Sequence, residues 1–476
     1  MASTFGSLNT AYRGLTAART GLDVVGQNIA NVNTDGYTRQ RVSQSSIEAA
    51  ARVGLFSAGV QPGQGVSVDG IARIGDRFAD AQVRGAAGAA GYQGVRASVT
   101  AALESSLNEP STTGLSTQLT KFWSAWQDVS NNPSAAAPAA VLLGQAQTIA
   151  GTLASGYKAV DDQWTAQRQQ LDGLASQLNS AATQVADLNV RIRTAQQQGV
   201  STNELVDARS VLTEKIATLA GGTVRDNADG TVDVIVGGNA LVSGDSARQV
   251  KVTGDYTLAS ASSGVSLEWT HRAGDPVPLD GGSIAGSLSV LAPAAPGGGG
   301  GGGVLAEAAA SYDALATQLA AQVNAVHATG TTADGTTGHA FFAFTAGVPA
   351  ARGLTVVPTG AATIASGNGT GGALDGSVAR SIGQIGLSTG SPDRAWGSIV
   401  STIGAVAQTE ADRSTLTDLS ATSAKNRQLS TAGVSLDEEN VNLLTYQHAY
   451  QGAARVMTAI DEMLDTLING MGRVGR

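Results

Sequence analysis

Apolar residues near the start of the chain repeat at spacings of three and four. Phe5, Leu8, Tyr12, Leu15, Leu22 and Ile29 share one heptad frame, interrupted by Arg19 and Gly26. At the far end Leu443, Tyr446, Tyr450, Ala453, Met457, Ile460, Leu464, Leu467 and Met471 alternate in the same way, a seam sustained over about four heptads. Two such seams at opposite ends of one chain predict pairing of the N- and C-terminal helices. The competing reading is that each stripe packs into the core of its own domain, the commoner fate of an amphipathic helix. Against it stand the narrowness of a two-row seam and the place of both segments at chain ends, where elements fray unless tied down.

A third seam is the longest, through Leu153, Tyr157, Val160, Trp164, Leu171, Leu174, Leu178, Val185, Leu188 and Ile192. Such a helix spans about 60 Å at 1.5 Å per residue, and Gly199 stops it. A second pattern through Leu205, Leu212, Ile216 and Leu219 ends at Gly221 and Gly222. Further helical patterns run from Leu305 to Val326 and from Trp396 towards Leu419, and together these predict an elongated bundle.

Between them the period falls to two. Residues 231–236 alternate, preceded by Asp229-Gly230 and followed by Gly237-Gly238, both hairpin signals. Residues 249–253, 256–259 and 265–270 read as further strands, and the Gly-, Thr- and Val-rich stretch 340–392 is assigned to the same β-rich module. Residues 297–303 are seven glycines and read as a flexible linker.

The fold class expected is α+β, mainly α, with terminal coiled-coil helices, an elongated helical bundle domain and an inserted β-rich domain. In numbers, 1–40 is an N-terminal arm, 41–222 the first part of the bundle, and 223–296 the first part of the β domain. The glycine linker is 297–303; 304–330 returns to the bundle and 331–392 is β-rich or irregular. Residues 393–430 complete the bundle and 431–476 form the C-terminal arm. The layout is nested, with the chain ends at one pole and the β module at the other.

Composition narrows the function. The 476 residues are 42% hydrophobic but only 4% aromatic and 14% charged, with 61 glycines, which points to small-residue packing. A net charge of −9 with scattered Lys and Arg argues against a nucleic-acid partner. The absence of cysteine removes disulfides, thiolate metal sites and cysteine nucleophiles together. The first 30 residues lack the pattern of a cleaved secretory signal, and the longest uncharged stretch, 131–157, is too polar for membrane insertion. Residues 1–52 carry five Arg against three acids and 437–476 six acids against three Arg, a weak complement between the two ends.

The most informative segment is 28–40. Asn28, Ile29, Ala30, Asn31, Asn33, Thr34, Gly36, Tyr37, Arg39 and Gln40 follow directly on the N-terminal seam. Asn31 and Asn33 can bond backbone groups that a helix end leaves free, Gly36 supplies a positive φ, and Tyr37 offers an apolar body with a polar tip. The full string resembles the motif shared by flagellar rod, hook and hook-associated proteins. Three further stretches are similar to the hook-associated proteins of the hook–filament junction: 37–40; 108–111 together with 123–128; and 433–439 followed by 446–451. Asp35 stands where that family usually has Pro, and Asp is an acceptable turn residue. The glycine run replaces a charged helix start.

The resemblance implies a structural subunit of the bacterial flagellum that joins hook to filament by helical self-assembly and is required for filament assembly. It implies a tube in which the terminal helices line the interior, the bundle forms the wall and the β module projects outward. It further implies export through the flagellar apparatus to an extracellular position. The partners would be copies of itself, the hook protein, a second junction protein and an export chaperone. A hook or rod subunit, or a secreted coiled-coil effector or adhesin of a related export system, is the alternative.

Enzymatic candidates fail on context, and no cofactor or metal is expected. Residues 386–390 match the nucleophile-elbow pattern, but the one downstream histidine is His448 on the terminal seam. Residues 367–372 are a glycine string without strand–helix context. His271, His327, His339 and His448 lack ligand spacing, and His327 and His339 are expected at the surface. Asp334-Gly335 is a turn without the alternating acids of a calcium loop.

Overall fold

The computed structural model describes residues 4–48, 63–258, 264–296 and 301–471. The chain is mainly α with small antiparallel sheets. Helix α1 (Thr4–Ala30) leads to a two-stranded ribbon of β1 (Gln40–Ser46) and β2 (Val66–Arg73). The body follows as α2 (Arg77–Ser106), α3 (Leu115–Asn131), α4 (Ala136–Gln197) and α5 (Asn203–Ala220). Helix α4 has 62 residues, about 93 Å of continuous helix. It starts well before Leu153 because the small residues of its first turns carry little periodic signal. Gly199 and Gly221, both at positive φ, end α4 and α5.

Seven strands lie between α5 and α6 (Gly282–Val290): β3 (Thr223–Asp226), β4 (Val232–Val236), β5 (Asn239–Ser243) and β6 (Ser246–Ala247) form one sheet. A second holds β7 (Val250–Thr253), β8 (Ser266–Trp269) and β9 (Arg272–Pro276). Residues 256–258 form turns rather than the strand read at 256–259, whose last residue lies outside the described residues. Helix α7 (Val304–His327), the pair β10 (Phe342–Phe344) and β11 (Leu354–Val356) around α8 (Ala350–Gly353), and α9 (Ser377–Gly383) come next. The chain closes with α10 (Pro392–Ala432) and α11 (Leu436–Met471). Ser391 caps α10 through Arg394 N–H at 3.2 Å, and Pro392 fits its first position, where no N–H is needed.

The body is a bundle in which α2 and α10 run side by side and α4 carries most of the core. Leu153, Val160, Trp164, Leu171, Leu178, Val185 and Ile192 are buried along one face of α4. A cluster of aromatics marks one end of the bundle. Phe122 and Trp126 of α3 meet Phe341 and Phe342, with Trp126 and Phe341 centroids 4.9 Å apart.

Five sequence expectations need correction. The β3–β9 sheets do not occupy the pole opposite the chain ends; they flank the C-terminal half of α4. Val232, Val234, Val236, Leu241 and Val242 are buried in the core that α4 organises. Two α4 amides hold the sheets in place: Asn189 donates to Val232 O (2.8 Å) and accepts from Val232 N–H (3.1 Å), and Asn179 pairs likewise with Val250 (2.8 and 2.9 Å). The stretch 331–392 belongs to neither sheet; its β10–β11 pair sits with the aromatic cluster at the far end. The β1–β2 ribbon (40–46 with 66–73) stands in a stretch whose sequence reads as bundle. His327 is fully buried rather than at the surface, its Nδ1–H donating to His339 O (2.7 Å) and its Nε2 accepting from Ala365 N–H (3.0 Å). Residues 297–300 of the glycine run lie outside the described residues. Gly303, however, is fixed: a Cβ there would stand 2.2 Å from Ala292 O, so close backbone approach demands glycine.

Candidate assembly site at the base of the terminal helices

Helices α1 and α11 pack antiparallel. Gly14 lies against Ala453, Gly21 against Tyr446, and Asn28 bonds Glu439, so each step of seven along one helix matches seven along the other. The α1 contact stripe is Ala11, Gly14, Ala18, Gly21, Val25 and Asn28, all buried except the half-buried Gly14. Its small residues let the helices approach closely: a Cβ on Gly21 would fall 2.5 Å from the Tyr446 ring.

The row read as the N-terminal seam is therefore a neighbouring face. Phe5 (70% exposed) and Tyr12 (58%) point to solvent, while Leu8, Leu15, Leu22 and Ile29 are half-buried. The larger residues dominate the sequence pattern, whereas close helix contact selects the smaller ones. On α11, Ile460 is buried, Leu443, Tyr446, Met457 and Leu464 are half-buried, and Tyr450 and Leu467 are exposed. The Met471 side chain lies outside the described residues. Val441, Leu444, Val456 and Met463 add an outward apolar row.

At the base of this pair the 28–40 segment folds into a buried polar node. Asn31 Nδ2 donates to Gln27 O (3.0 Å), and Thr34 Oγ1 donates to Asn31 Oδ1 (3.1 Å), closing the helix end. Gly36 turns the chain at φ +76°, and a Cβ there would stand 2.2 Å from Val211 Cγ2. Asn33 and Ala30 are exposed.

Asn28, 1% exposed, sits at the centre. Its amide donates to Gln40 O (2.9 Å) and Glu439 Oε2 (3.1 Å), and its carbonyl accepts from Gln40 N–H (3.0 Å) and Tyr37 Oη–H (2.9 Å). Its full hydrogen-bonding capacity is thereby used. Arg39 Nε donates to Glu439 Oε1 (2.7 Å), its other arm pairs with Glu438, and its backbone N–H reaches Ala432 O (2.9 Å). Gln40 joins α5, donating to Glu204 Oε1 (3.2 Å) and accepting from Asn203 Nδ2 (3.1 Å). Thr38 N–H and Arg73 Nε converge on Asp207, at 3.1 and 2.5 Å. Burial, reinforced by the charges of Asp207, Glu204 and Glu439, pushes the Tyr37 phenol up to about 12, so it remains a donor.

The node thus ties α1, β1, α5 and α11 together through hydrogen bonds buried at Asn28, Gln40 and Glu439 and ion pairs that reach the surface at Glu438, fixing the direction in which the helix pair leaves the body. Sequence reasoning singled out Asn28, Tyr37, Arg39 and Gln40, and the 433–439 stretch that carries Glu438 and Glu439, but missed Arg73, Asn203, Glu204 and Asp207. The available signal was the acids of α5 at positions 204 and 207, one helical turn apart on a helix otherwise read by its apolar residues.

Elsewhere the residues with chemical potential are scattered. Ser388 lies in an exposed loop before α10, with Gly386 packed on Trp123. No group of three His, Cys, Asp or Glu able to hold a metal occurs among the described residues, and no described helix is long and apolar enough to cross a membrane.

Three segments of the chain match known family models. Residues 100–342 match the family described as the flagellar hook-associated protein FlgK helical domain. Residues 8–38 match the flagella basal body rod protein family, and 426–470 the flagellar basal body rod FlgEFG protein C-terminal family. The chain is 31% identical to flagellar hook-associated protein 1 of Bacillus subtilis, with all of both chains covered. It is also 31% identical to the protein of that name from Salmonella typhimurium, over 51% of this chain and 43% of the relative. The flagellar hook junction protein FlgK of Burkholderia pseudomallei shares the fold at a TM-score of 0.63 and 16% identity, over 74% of this chain and 100% of that one.

Proposed function

The chain belongs to the flagellar hook-associated protein 1 family, and from that premise we propose how its parts serve a structural role at the hook–filament junction. The observation that carries the reading is the relationship across all of both chains, with the 100–342 match marking the hook-associated branch. The matches shared with rod proteins cover only the two ends, so a hook or rod subunit is the weaker reading.

Copies assemble into a tube. Residues 1–40 and 431–476 form its inner arm, with the outward rows of α1 and α11 covered by neighbouring copies. Exposed Phe5, Tyr12, Val441, Leu444 and Met463 support this, because a two-helix arm with apolar residues on its outer faces buries them only on association. The bundle segments form the wall, and the node of Asn28, Arg39 and Glu439 transmits load between arm and wall. The subunit is extracellular, contacts hook protein below and a second junction protein above, and is held before export by a chaperone. Its work is mechanical rather than catalytic.

Electron microscopy of a deletion strain tests the role. Hooks without attached filaments, restored by the intact gene, are expected; filaments attached in its absence would overturn it.

A further inference from the structure

The glycine string at 367–372 lies beside the aromatic cluster, where Ala365 N–H bonds His327 Nε2. It contains a reactive dipeptide. Asn is followed by Gly at two places in the chain, Asn368-Gly369 in this loop and Asn469-Gly470 near the end of α11. In such a pair the glycine nitrogen can attack the asparagine side-chain carbonyl, because no Cβ shields it. The outcome depends on where the fold holds Cγ.

Asn368, Gly369 and Thr370 are exposed. Asn368 Oδ1 accepts from Thr370 N–H at 3.0 Å and also from Thr370 Oγ1–H. The first of these bonds closes a ring that contains Gly369 N, so Cγ is folded back over the following peptide. Two donors on Oδ1 draw electrons from Cγ and stabilise the oxyanion that forms on attack. Nucleophile and leaving group are unrestrained: among the described residues neither Gly369 N–H nor Asn368 Nδ2 makes a hydrogen bond. The loop itself is pinned, with Asn368 N–H donating to Asp375 Oδ2 (2.8 Å) and Thr331 N–H to Gly367 O (2.8 Å). Gly369 sits at φ +78°, and a Cβ there would meet Thr331 Oγ1 at 3.0 Å.

Asn469 is held the other way. Side chains on a helix lean towards its N-terminus, away from the next residue's nitrogen. Asn469 does so, its Nδ2–H donating to Asp465 Oδ1 (2.6 Å) one turn back.

We propose that Asn368 is a site of spontaneous deamidation, selected by the loop rather than by the dipeptide alone. Gly369 N bonds to Asn368 Cγ and gives its proton to solvent base. The electron pair pushed onto Oδ1 returns as the Cγ–Nδ2 bond breaks, and Nδ2 leaves with a proton from water as ammonia. Water then opens the cyclic imide at either carbonyl, leaving aspartate or isoaspartate. Aspartate keeps an acceptor for Thr370 but adds a negative charge to a loop that already carries Asp375. Isoaspartate lengthens the main chain by a methylene directly after the Thr331–Gly367 bridge and strains it. This chemistry is independent of the junction role.

Peptide mapping by mass spectrometry tests it on purified chain aged in mildly alkaline buffer, either native or unfolded in guanidinium. Native Asn368 should convert faster than unfolded Asn368, giving both aspartate and isoaspartate. Asn469 should lag behind it in the native chain and match it when unfolded. Thr370→Val removes one donor from Oδ1 and should slow native conversion about two- to tenfold, the worth of one hydrogen bond, with the unfolded rate unchanged. The proposal is overturned if native Asn368 stays unconverted or converts more slowly than when unfolded. Conversion of native Asn469 at the same rate, or of native Thr370→Val at the wild-type rate, would overturn it too. If Thr370→Val does not keep the native melting transition, the native-to-unfolded comparison on the wild-type chain decides.

Discussion

Asn28→Ala is the most exacting test of the node. The substitution removes four hydrogen bonds, and two of the groups left behind have few alternatives: the buried Gln40 N–H and the Glu439 carboxylate, itself 1% exposed. Each orphaned buried polar group costs ~1–3 kcal/mol, so the raw loss for the two is ~2–6 kcal/mol. Alanine is the better helix former by roughly 0.5 kcal/mol, which offsets a little of it. A net loss of about 1.5–5.5 kcal/mol corresponds to more frequent local opening by about ten- to ten-thousand-fold. Amide hydrogen exchange on the purified chain would read this directly at residues 38–42 and 439–446. Asn33→Ala, at an exposed position of the same segment, should stay within about 0.5 kcal/mol. Asn28→Asp separates polarity from packing: nearly isosteric, it loses the donor and sets a carboxylate against Glu439. It should be at least as damaging as alanine at neutral pH. Unchanged exchange in Asn28→Ala would show that the node does not form in the free chain, and the coupling of arm to body argued from it would fall.

Two further outcomes follow from individual contacts. Gly21→Val drives a branched side chain into the Tyr446 ring and should cost about 1–3 kcal/mol of α1–α11 pairing. Gly14→Ala, with its nearest neighbour Ala453 Cβ at 3.9 Å, should be neutral or stabilising, and helical content on heating distinguishes the two. His327 is held neutral in the core, its pKa lowered by burial, so the unfolded chain binds the extra proton first. Body stability should therefore be full above the ordinary value of 6.5 and decline as pH falls below it. His327→Gln should flatten that part of the melting-temperature profile, and an unchanged slope would refute the assignment.

The helical elements of this protein were legible because their signals are local. Heptad rows along α4 and α11, the stops at Gly199 and Gly221, and the 28–40 string each lie within a few turns of chain. The alternation in 231–236 likewise marked β4 as a strand beside its turns. What the tertiary structure decided depended on residues far apart. Asn28 could be read as a motif residue, but not as the partner of Glu439, 411 positions away. The stripe of α1 that meets α11 is built mostly from Ala and Gly, which carry almost no amphipathic signal, so the row through Phe5 and Tyr12 is the stronger seam in the sequence. His327 looked like a surface residue among glycines and threonines until Trp126 and Phe341 closed over it. The β sheets settled along α4 because their valine faces found its apolar row and Asn179 and Asn189 satisfied their strand ends. Periodicity reports which face of an element is apolar; only the packed chain decides which apolar face meets which, since that choice turns on close approach and on the pairing of buried polar groups.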